Sequence, residues 1–328
     1  MKKIMNRADD IVSEMIRGMS LAHPELECFP EERVVARKQK REKVGLVSAG
    51  GSGHEPAHAG YVGIGLLDAA VAGNIFASPS PDQMLKGIQE ANTGNGVLFI
   101  LKNYTGDLMN FSMAKELAEF EDIVVDSVVV KDDVAVPDST YSAGRRGIAG
   151  TMLVQKVAGA MAETGAPLQQ VKQVAQKAID RVRTMGFSLS PCVLPGLAKS
   201  GFEIADGMLA FGMGIHGEPG ISEIAIRPAK ELAALLVAQI FEDHDYAGKE
   251  VAMLVNGLGG TPLMELYVLA NDIHQLLAPK GVTVRKLWVG NHMTSLEMAG
   301  CSLSLMELDD ELAGLVDAPC NAPGLKQL

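Results

Sequence analysis

The alternation of buried-strand and amphipathic-helix patterns constrains the fold of this chain more than any other feature of its sequence. Short apolar runs typical of buried strands occur at 44–47, 97–101, 123–130, 251–255 and 282–289. Helical periodicity separates these runs, at 8–21, 108–119, 148–163, 168–185, 229–241 and 262–277. Strands that alternate with helices pair mainly in parallel, because each helix returns the chain to the same edge of the sheet. The sequence therefore predicts an α/β protein with mostly parallel or mixed sheets flanked by helices.

The chain is long enough for two such domains. One hydrophobic core rarely serves as many as 328 residues. The least regular stretch, 186–220, is rich in glycine and proline, which is typical of the region around a domain boundary. We therefore expect an N-terminal α/β domain over 1–185 and a C-terminal α/β domain over 186–328.

Charge and composition restrict the classes of partner. A formal net charge of -11 disfavours binding to nucleic acids or to anionic membranes, because a protein binds either of these through clustered positive charge. The basic start of the chain has no apolar run after it, and no later segment approaches the length of a membrane span, so a cytoplasmic protein is expected. The cysteines lie far apart without zinc-ligand spacing, which predicts reduced thiols and no metal site.

Two glycine-rich segments follow predicted strands. They read Gly-Gly-Ser-Gly-His-Glu-Pro at 50–56 and Asn-Gly-Leu-Gly-Gly-Thr-Pro at 256–262. Neither has the ending of a Walker loop or the third glycine of a dinucleotide fingerprint, so neither predicts a nucleotide site. Glycines without Cβ still let main-chain N–H groups approach a ligand where a strand ends. We interpret 50–56 as a ligand-binding loop and 256–262 as a structural turn.

Two of the seven histidines lie among glycines shortly before Glu-Pro, at His54 and His216. Imidazole titrates nearest neutral pH, so such a histidine can serve as acid, base or nucleophile. Either one alone is best read as an ordinary turn residue, but the recurrence of His, Glu and Pro favours a functional role for both. His58 follows His54 by one helical turn, but no third ligand accompanies the pair, so a metal site is the weaker interpretation.

A predicted strand ends in the polar run Lys-Asn-Tyr-Thr-Gly-Asp at 102–107. In this place Asp107 could remove a proton while Lys102 stabilises developing negative charge. Asp107 could equally cap the helix predicted from 108, and the sequence leaves the two roles open. The adjacent acids Asp132 and Asp133 are interpreted as a solvated turn, and 141–147 as a loop followed by a helix start.

These motifs, together with Ser78-Pro79, Ala-Gly-Arg-Arg-Gly at 143–147 and Gly-Ile-His-Gly-Glu-Pro-Gly at 214–220, occur in an order that resembles one known family. The chain resembles, over its whole length, the dihydroxyacetone-binding subunits of bacterial dihydroxyacetone kinases of the phosphotransferase-system-dependent type. In that family the histidine that matches His216 bonds to the ketone carbon and forms a hemiaminal. The resemblance implies catalytic roles for His216, His54 and Asp107. It also implies substrate contacts from Gly51, Ser52, Gly53, His54, Ser78, Lys102, Asp107 and His216.

The resemblance further implies that this chain acts only with partner subunits and carries no cofactor itself. ADP or ATP with Mg²⁺ would be bound by a nucleotide-bearing kinase subunit of the DhaL type, which a phosphotransferase-system subunit of the DhaM type recharges. The product would be dihydroxyacetone phosphate, and a homodimer is expected. Three alternatives remain: a kinase subunit for another ketose such as erythrulose, a dihydroxyacetone-sensing transcriptional co-activator, and an unrelated histidine-dependent aldolase or isomerase. Lys102 and Asp107 favour a kinase over a sensor, because a sensor needs capture but not transfer.

Overall fold

Helices and strands alternate along the chain in the computed structural model, which describes residues 3–136, 144–218 and 220–328. The helices are α1 Ile11–Ala22, α2 Pro81–Ala91, α3 Thr105–Phe120, α4 Thr151–Glu163, α5 Leu168–Arg181, α6 Ala229–Asp243, α7 Leu263–Leu277 and α8 Asp310–Asp317. The first strands are β1 Leu26–Phe29, β2 Val34–Arg37, β3 Gly45–Ser52, β4 Ala69–Ile75, β5 Val97–Lys102, β6 Val125–Val130 and β7 Val182–Ser188. They continue as β8 Met208–Phe211, β9 Ser222–Ala225, β10 Glu250–Gly257, β11 Thr283–Gly290, β12 Gly300–Leu308, β13 Cys320–Ala322 and β14 Leu325–Gln327. Residues 141–143 of the predicted loop and Pro219 lie outside the described residues.

Two six-stranded sheets confirm the predicted α/β class. The first has the order β1-β2-β4-β3-β5-β6, and its strands β4, β3, β5 and β6 pair in parallel. The second has the order β11-β10-β12-β7-β8-β9, in which β10 and β11 are parallel while β12, β7, β8 and β9 join by antiparallel pairs. Mostly parallel pairing therefore describes the core of the first sheet, and the second sheet is mixed.

The described elements form five layers, and one helical layer lies between the two sheets. Alternation along β5 shows why: Leu98 and Ile100 join the core shared with α4 and α5, whereas Phe99 and Leu101 join the core beneath α2 and α3. The central core also takes residues from the second sheet, while α6 and α7 cover that sheet's other face. No helix in the described ranges is both long and apolar enough to cross a bilayer.

The helix predicted over 168–185 is wrong at its C-terminal end. It stops at Arg181, and β7 begins at Val182 and pairs antiparallel with β12. Apolar residues keep helical spacing through Met185, but pairing in the second sheet decides the conformation of this segment. The predicted boundary between 1–185 and 186–328 stays a prediction. Strand β7, which spans this boundary, belongs to the second sheet.

Asp132 and Asp133 are fully buried, so the solvated-turn interpretation of these acids is wrong. The Asp132 carboxylate accepts the main-chain N–H of Ile148 at 2.7 Å and of Gly150 at 2.8 Å, just before α4 begins. The helix has no side-chain cap of its own, and Asp132 satisfies two donors at its entry. This carboxylate therefore anchors the central helical layer to the end of β6.

Replacing Asp132 by alanine should lower the free energy of unfolding by about 3 kcal/mol, because two buried N–H groups would lose their acceptor. Urea unfolding measures the loss. The control is Asp126→Ala, because Asp126 forms an ion pair with the part-exposed Lys172 and should contribute less than about 1 kcal/mol. Equal losses in the two variants would contradict the anchoring role.

Candidate active site

Loops from the two sheets bring His54 and His216 into ring contact. His54 follows β3 of the first sheet, and His216 lies between β8 and β9 of the second. Their ring centroids are 4.9 Å apart with the rings nearly perpendicular. The sequence suggested related roles for the two histidines but could not show that they meet.

His54 is held in one tautomer by the second sheet. Its Nδ1 lies 2.8 Å from the main-chain oxygen of Thr294, in the connection between β11 and β12. A carbonyl oxygen only accepts, so Nδ1 carries the hydrogen and Nε2 keeps a lone pair in the neutral ring. Burial, followed by the charge of Lys102, holds the pKa of His54 well below its usual range. His54 therefore presents a neutral nitrogen base at pH 7.

His216 is also neutral and is surrounded by aromatic rings. Burial is the main cause that keeps the pKa of His216 well below its usual value, and the charges of Lys102 and Arg146 act in the same direction. The ring of Tyr104 meets it edge-on at 4.3 Å between centroids, and Phe76 does so at 5.6 Å. A neutral imidazole has a free lone pair, so His216 can act as a nucleophile.

The loop that carries His216 is fixed by a buried ion-pair network. Glu218 accepts the main-chain N–H of His216 at 2.8 Å and a bond from Arg146 at 3.1 Å. Arg146 also donates to the Gly212 carbonyl at 3.0 Å and to Asp133 at 2.6 Å. These contacts tie both ends of the His216 loop to one guanidinium group.

The loop that carries His54 uses its own glutamate in a similar way. Glu55 accepts the main-chain N–H of Gly53 at 3.0 Å. Gly53 has a φ of 101°, and Gly217 of the other loop has a φ of 71°. Both values lie in the left-handed region, which explains why glycine occupies these two positions.

A cavity of about 610 Å³ opens beside His216. This volume lies within the usual range for a small-molecule site. Its lining includes Gly51, Phe76, Ser78, Tyr104, Asp107 and His216. Among the predicted contacts, Gly51, Ser78, Asp107 and His216 thus share one cavity.

Asp107 lies inside the first turn of α3, so the predicted helix start at 108 is wrong and the alternative that Asp107 caps the helix does not hold. The helix begins at Thr105, and its flanking residue, Tyr104, makes no side-chain cap bond. Asp107 is buried and is hydrogen-bonded by Ser78. Burial raises the pKa of Asp107, and the charge of Lys102 opposes that rise. A carboxylate with a raised pKa is better matched to removing a proton near neutral pH.

Several buried polar atoms, two of them on residues that line this cavity, lack a hydrogen-bond partner within the described residues. They are His54 Nε2, His58 Nε2, Lys102 Nζ, Tyr104 Oη and Asp107 Oδ1. Buried polar groups in proteins are nearly always paired, because an unpaired one costs about 1–3 kcal/mol. The unpaired atoms of Tyr104 and Asp107, which line the cavity, and of His54, which touches His216, indicate that this part of the protein binds a polar ligand.

Ser52 and Gly53 lie at the end of β3 but outside the lining of the 610 Å³ cavity. The Ser52 hydroxyl donates to the Gly73 carbonyl at 2.8 Å, which joins the ends of β3 and β4. Lys102 is wholly buried behind the loop, and a methyl group added to Gly50 would lie 2.9 Å from its Nζ. The predicted site residues thus lie close together, but the Ser52 hydroxyl is used in a hydrogen bond between two strands.

Comparison with known proteins is consistent with this arrangement. The sequence profile of the Dak1 domain matches residues 17–324. The chain belongs to the Dak1 family.

Characterised relatives of this Dak1 chain cover nearly its full length. It is 54% identical over 314 residues to the "PTS-dependent dihydroxyacetone kinase 1, dihydroxyacetone-binding subunit DhaK" of Listeria innocua, covering 95% of each chain. Among solved structures, a "Dihydroxyacetone kinase operon co-activator Dha-DhaQ" matches with a TM-score of 0.92 and 36% identity, covering 98% of this chain and 100% of that one. The dihydroxyacetone kinase of C. freundii in complex with AMP-PNP and Mg²⁺ matches with a TM-score of 0.92 and 35% identity, covering 99% of this chain and 61% of that one.

Four residues of the Dak1 site were not assigned from the sequence. Tyr104 and Arg146 lie within motifs that were recognised, so their place in those motifs could have identified them as site residues. Phe76 stacks on His54 at 5.2 Å and has a φ of 55°, a conformation that no local pattern predicts. His58 was considered only as half of a metal pair, and it lies buried with Nδ1 at 2.9 Å from the Gln155 side chain.

Replacing Arg146 by methionine should loosen the His216 loop of this Dak1 protein, because Glu218 and Asp133 would lose their buried countercharge. We expect a loss on the order of 3 kcal/mol in unfolding free energy. We also expect faster deuterium exchange of the amides at 212–218, measured by mass spectrometry. Arg145→Met is the matched control, because Arg145 pairs with Asp243 and its side chain is 34% exposed. Unchanged exchange at 212–218 in Arg146→Met would show that other contacts hold the loop.

Proposed function

We propose that this chain is the substrate-binding subunit of a dihydroxyacetone kinase, and that it captures dihydroxyacetone as a hemiaminal on His216. The observation that carries the proposal is a neutral His216 that lines a cavity together with Asp107 and touches the His54 ring, where His54 Nε2 and Asp107 Oδ1 have no partner within the described residues. Membership of the Dak1 family and the 54% identical dihydroxyacetone-binding subunit support the choice of ketone.

Capture adds an imidazole N–H across the ketone C=O. The lone pair of His216 forms the new N–C bond, the carbonyl π pair moves to oxygen, one proton leaves the imidazole and one proton reaches that oxygen. His54 has a free Nε2 next to the His216 ring and is placed to carry the proton. A polyol such as glycerol has no carbonyl carbon for His216 to attack, so covalent capture selects short ketones.

Transfer then acts on a terminal hydroxyl of the captured ketone. Asp107 receives the hydroxyl proton as that oxygen attacks a phosphoryl group, and Lys102 stabilises the negative charge that develops. Both glycine-rich segments of this chain lack the features of a nucleotide loop. We therefore propose that a separate DhaL-type subunit brings ADP or ATP with Mg²⁺, that a DhaM-type phosphotransferase-system subunit recharges it, and that the product is dihydroxyacetone phosphate. A homodimer of this chain is part of the same proposal.

A ligand-sensing co-activator is the second candidate, because a solved co-activator matches this chain over 98% of its length. A sensor requires His216 for capture but has no use for a base at the transferring hydroxyl. The buried pair Lys102 and Asp107 beside Ser78 favours the kinase role. Phosphorylation of dihydroxyacetone with and without a nucleotide-bearing subunit separates the two candidates.

Capture and transfer should respond to different substitutions. With His216→Ala we expect no protein–dihydroxyacetone adduct in native mass spectrometry, and with Asp107→Asn we expect the adduct to persist while phosphorylation falls by roughly a hundredfold or more. Glycerol is the ligand control and should give no adduct. An adduct that survives in His216→Ala would exclude this residue as the nucleophile. If Asp107→Asn changes thermal stability without changing turnover, Asp107 has only a structural role.

Capture should persist at mildly acid pH. A histidine with the ordinary pKa of about 6.5 would be about three-quarters protonated at pH 6 and would lose its lone pair. Because burial holds the pKa of His216 and His54 well below that value, both rings stay neutral and the adduct should change little between pH 8 and pH 6. The ¹³C NMR signal of dihydroxyacetone labelled at the ketone carbon measures the bound fraction. A fall in that fraction with a midpoint near 6.5 would contradict the buried, neutral state.

A further inference from the structure

The Lys102 ammonium is buried, and none of its N–H donors has an acceptor within the described residues. Lys102 is 0% exposed. An ammonium has three donors and no acceptor, so a buried lysine needs acceptors around it. The titratable groups that face it from other elements are Asp107, Asp132, Glu55, His54, His58 and His216. The three acids act on it through charge, without a hydrogen bond.

His58 brings a second unpartnered nitrogen to the same place. A methyl group added to Gly50 would lie 2.9 Å from Lys102 Nζ and 3.6 Å from His58 Nε2. Both nitrogens therefore border one point beside β3, and both are buried. The cavity next to Gly50 and His58 has a volume of about 10 Å³, which is close to the roughly 10–15 Å³ that one water needs. The two nitrogens make no direct hydrogen bond with each other, so a hydrogen-bonded link between them passes through one water.

Gln155 decides which hydrogen-bonding role His58 Nε2 can take. The amide nitrogen of this buried α4 residue lies 2.9 Å from His58 Nδ1, and its amide oxygen has no hydrogen-bond partner within the described residues. The amide oxygen and nitrogen are interchangeable by a flip, and the surrounding network selects the orientation. With the oxygen toward Nδ1, the ring carries its hydrogen on Nδ1 and keeps a lone pair on Nε2. The orientation with the nitrogen toward Nδ1 sets an Nε2–H against the Lys102 ammonium, donor against donor, so the network favours the flipped amide.

We propose that His58 and Gln155 position Lys102 in the active site. With its amide flipped, Gln155 accepts the Nδ1–H of His58, and His58 Nε2 accepts a hydrogen bond from a water that in turn accepts one from the Lys102 ammonium. This inference deepens the proposed function and rests on it for the part that Lys102 plays in phosphoryl transfer. His58 is a positioning residue, because it acts on the ketone only through Lys102.

An acceptor at the ammonium also stabilises its charged form. Burial lowers the pKa of Lys102, and a hydrogen bond to the water held by His58 opposes that effect. Without this bond the ammonium loses its proton at a lower pH and is less well placed. His58→Leu should therefore lower kcat of dihydroxyacetone phosphorylation roughly tenfold or more, because misplacement by an ångström can cost on the order of a hundredfold. The alkaline limb of the kcat profile should move to lower pH, while the His216 adduct and KM change by less than about twofold.

Matched variants separate positioning from packing. His58→Gln keeps an acceptor oxygen in the same place and should restore most of kcat and the position of the alkaline limb. Gln155→Leu removes the group that fixes the tautomer and should reproduce part of the His58→Leu effect. Gln155→Glu offers a stronger acceptor to Nδ1 and a nearby negative charge, so it should move the alkaline limb to higher pH. Thermal unfolding of each variant establishes that the comparison is made on folded protein.

NMR of ligand-free protein labelled with ¹⁵N-histidine tests the arrangement without ketone or partner subunits. The His58 signals are identified by their loss in His58→Gln. We expect a protonated Nδ1 and an unprotonated Nε2 in the wild-type chain. A protonated Nε2 would overturn the proposal, and so would an unchanged kcat and alkaline limb in His58→Leu.

The two proposals fail in different ways. If the His58 tautomer is as expected but wild-type protein forms no adduct with dihydroxyacetone, the proposed function is wrong and the contact with Lys102 stands. If the adduct forms and phosphorylation proceeds but the Nε2 of His58 is protonated, the function stands and the positioning role is wrong.

Discussion

Removal of imidazole and ammonium groups from water is the constraint on which the rest of this structure depends. Burial is the main cause of the lowered pKa of His54, His216 and Lys102, and of the raised pKa of Asp107. In water at neutral pH a histidine is hydrated and partly protonated, and a lysine ammonium is strongly solvated. In the cleft the imidazole lone pairs are free. The pKa of Lys102 is lowered and the pKa of Asp107 is raised, so the two values lie closer together than in water. Each unpartnered buried group costs about 1–3 kcal/mol, and the cores of both sheets must offset that cost.

Each sheet supplies an incomplete site that the other completes. The first sheet places His54 after β3 and Lys102 at the end of the neighbouring parallel strand β5, and Asp107 lies in the helix that follows β5. All three residues therefore reach the same sheet edge. His54 nevertheless gains its fixed tautomer from Thr294, in the connection between strands β11 and β12 of the second sheet. In the other direction, the His216 loop of the second sheet is held by Arg146, which precedes α4 in the central layer. The site therefore exists only when the two sheets are packed together.

The sequence was most informative where local patterning and tertiary structure agree. The runs that became β3, β5, β6, β10 and β11 are strongly apolar, and the motif histidines lie in loops whose glycines have left-handed φ. Helix α2 was missed although Ser80 and Gln83 form a capping box and Pro81 opens the helix. Strand β12 was missed although Cys301, Leu303 and Leu305 alternate with two serines and Met306. The boundary between α5 and β7, and the burial of Asp132, depend on partners distant in the chain, which no local pattern contains.

The recurrence of His, Glu and Pro does not mean that the two histidines perform the same chemistry. In both loops the shared feature is the glutamate, which accepts a main-chain N–H two residues before it, from Gly53 in one loop and from His216 in the other. The repeated pattern thus holds two loops in shape. The imidazoles differ: His54 is bound to Thr294 through Nδ1, whereas His216 is packed by the faces and edges of neighbouring rings and lines the cavity. A ring fixed by a hydrogen bond suits proton transfer, and a ring held by packing beside an open volume suits bond formation to a ligand.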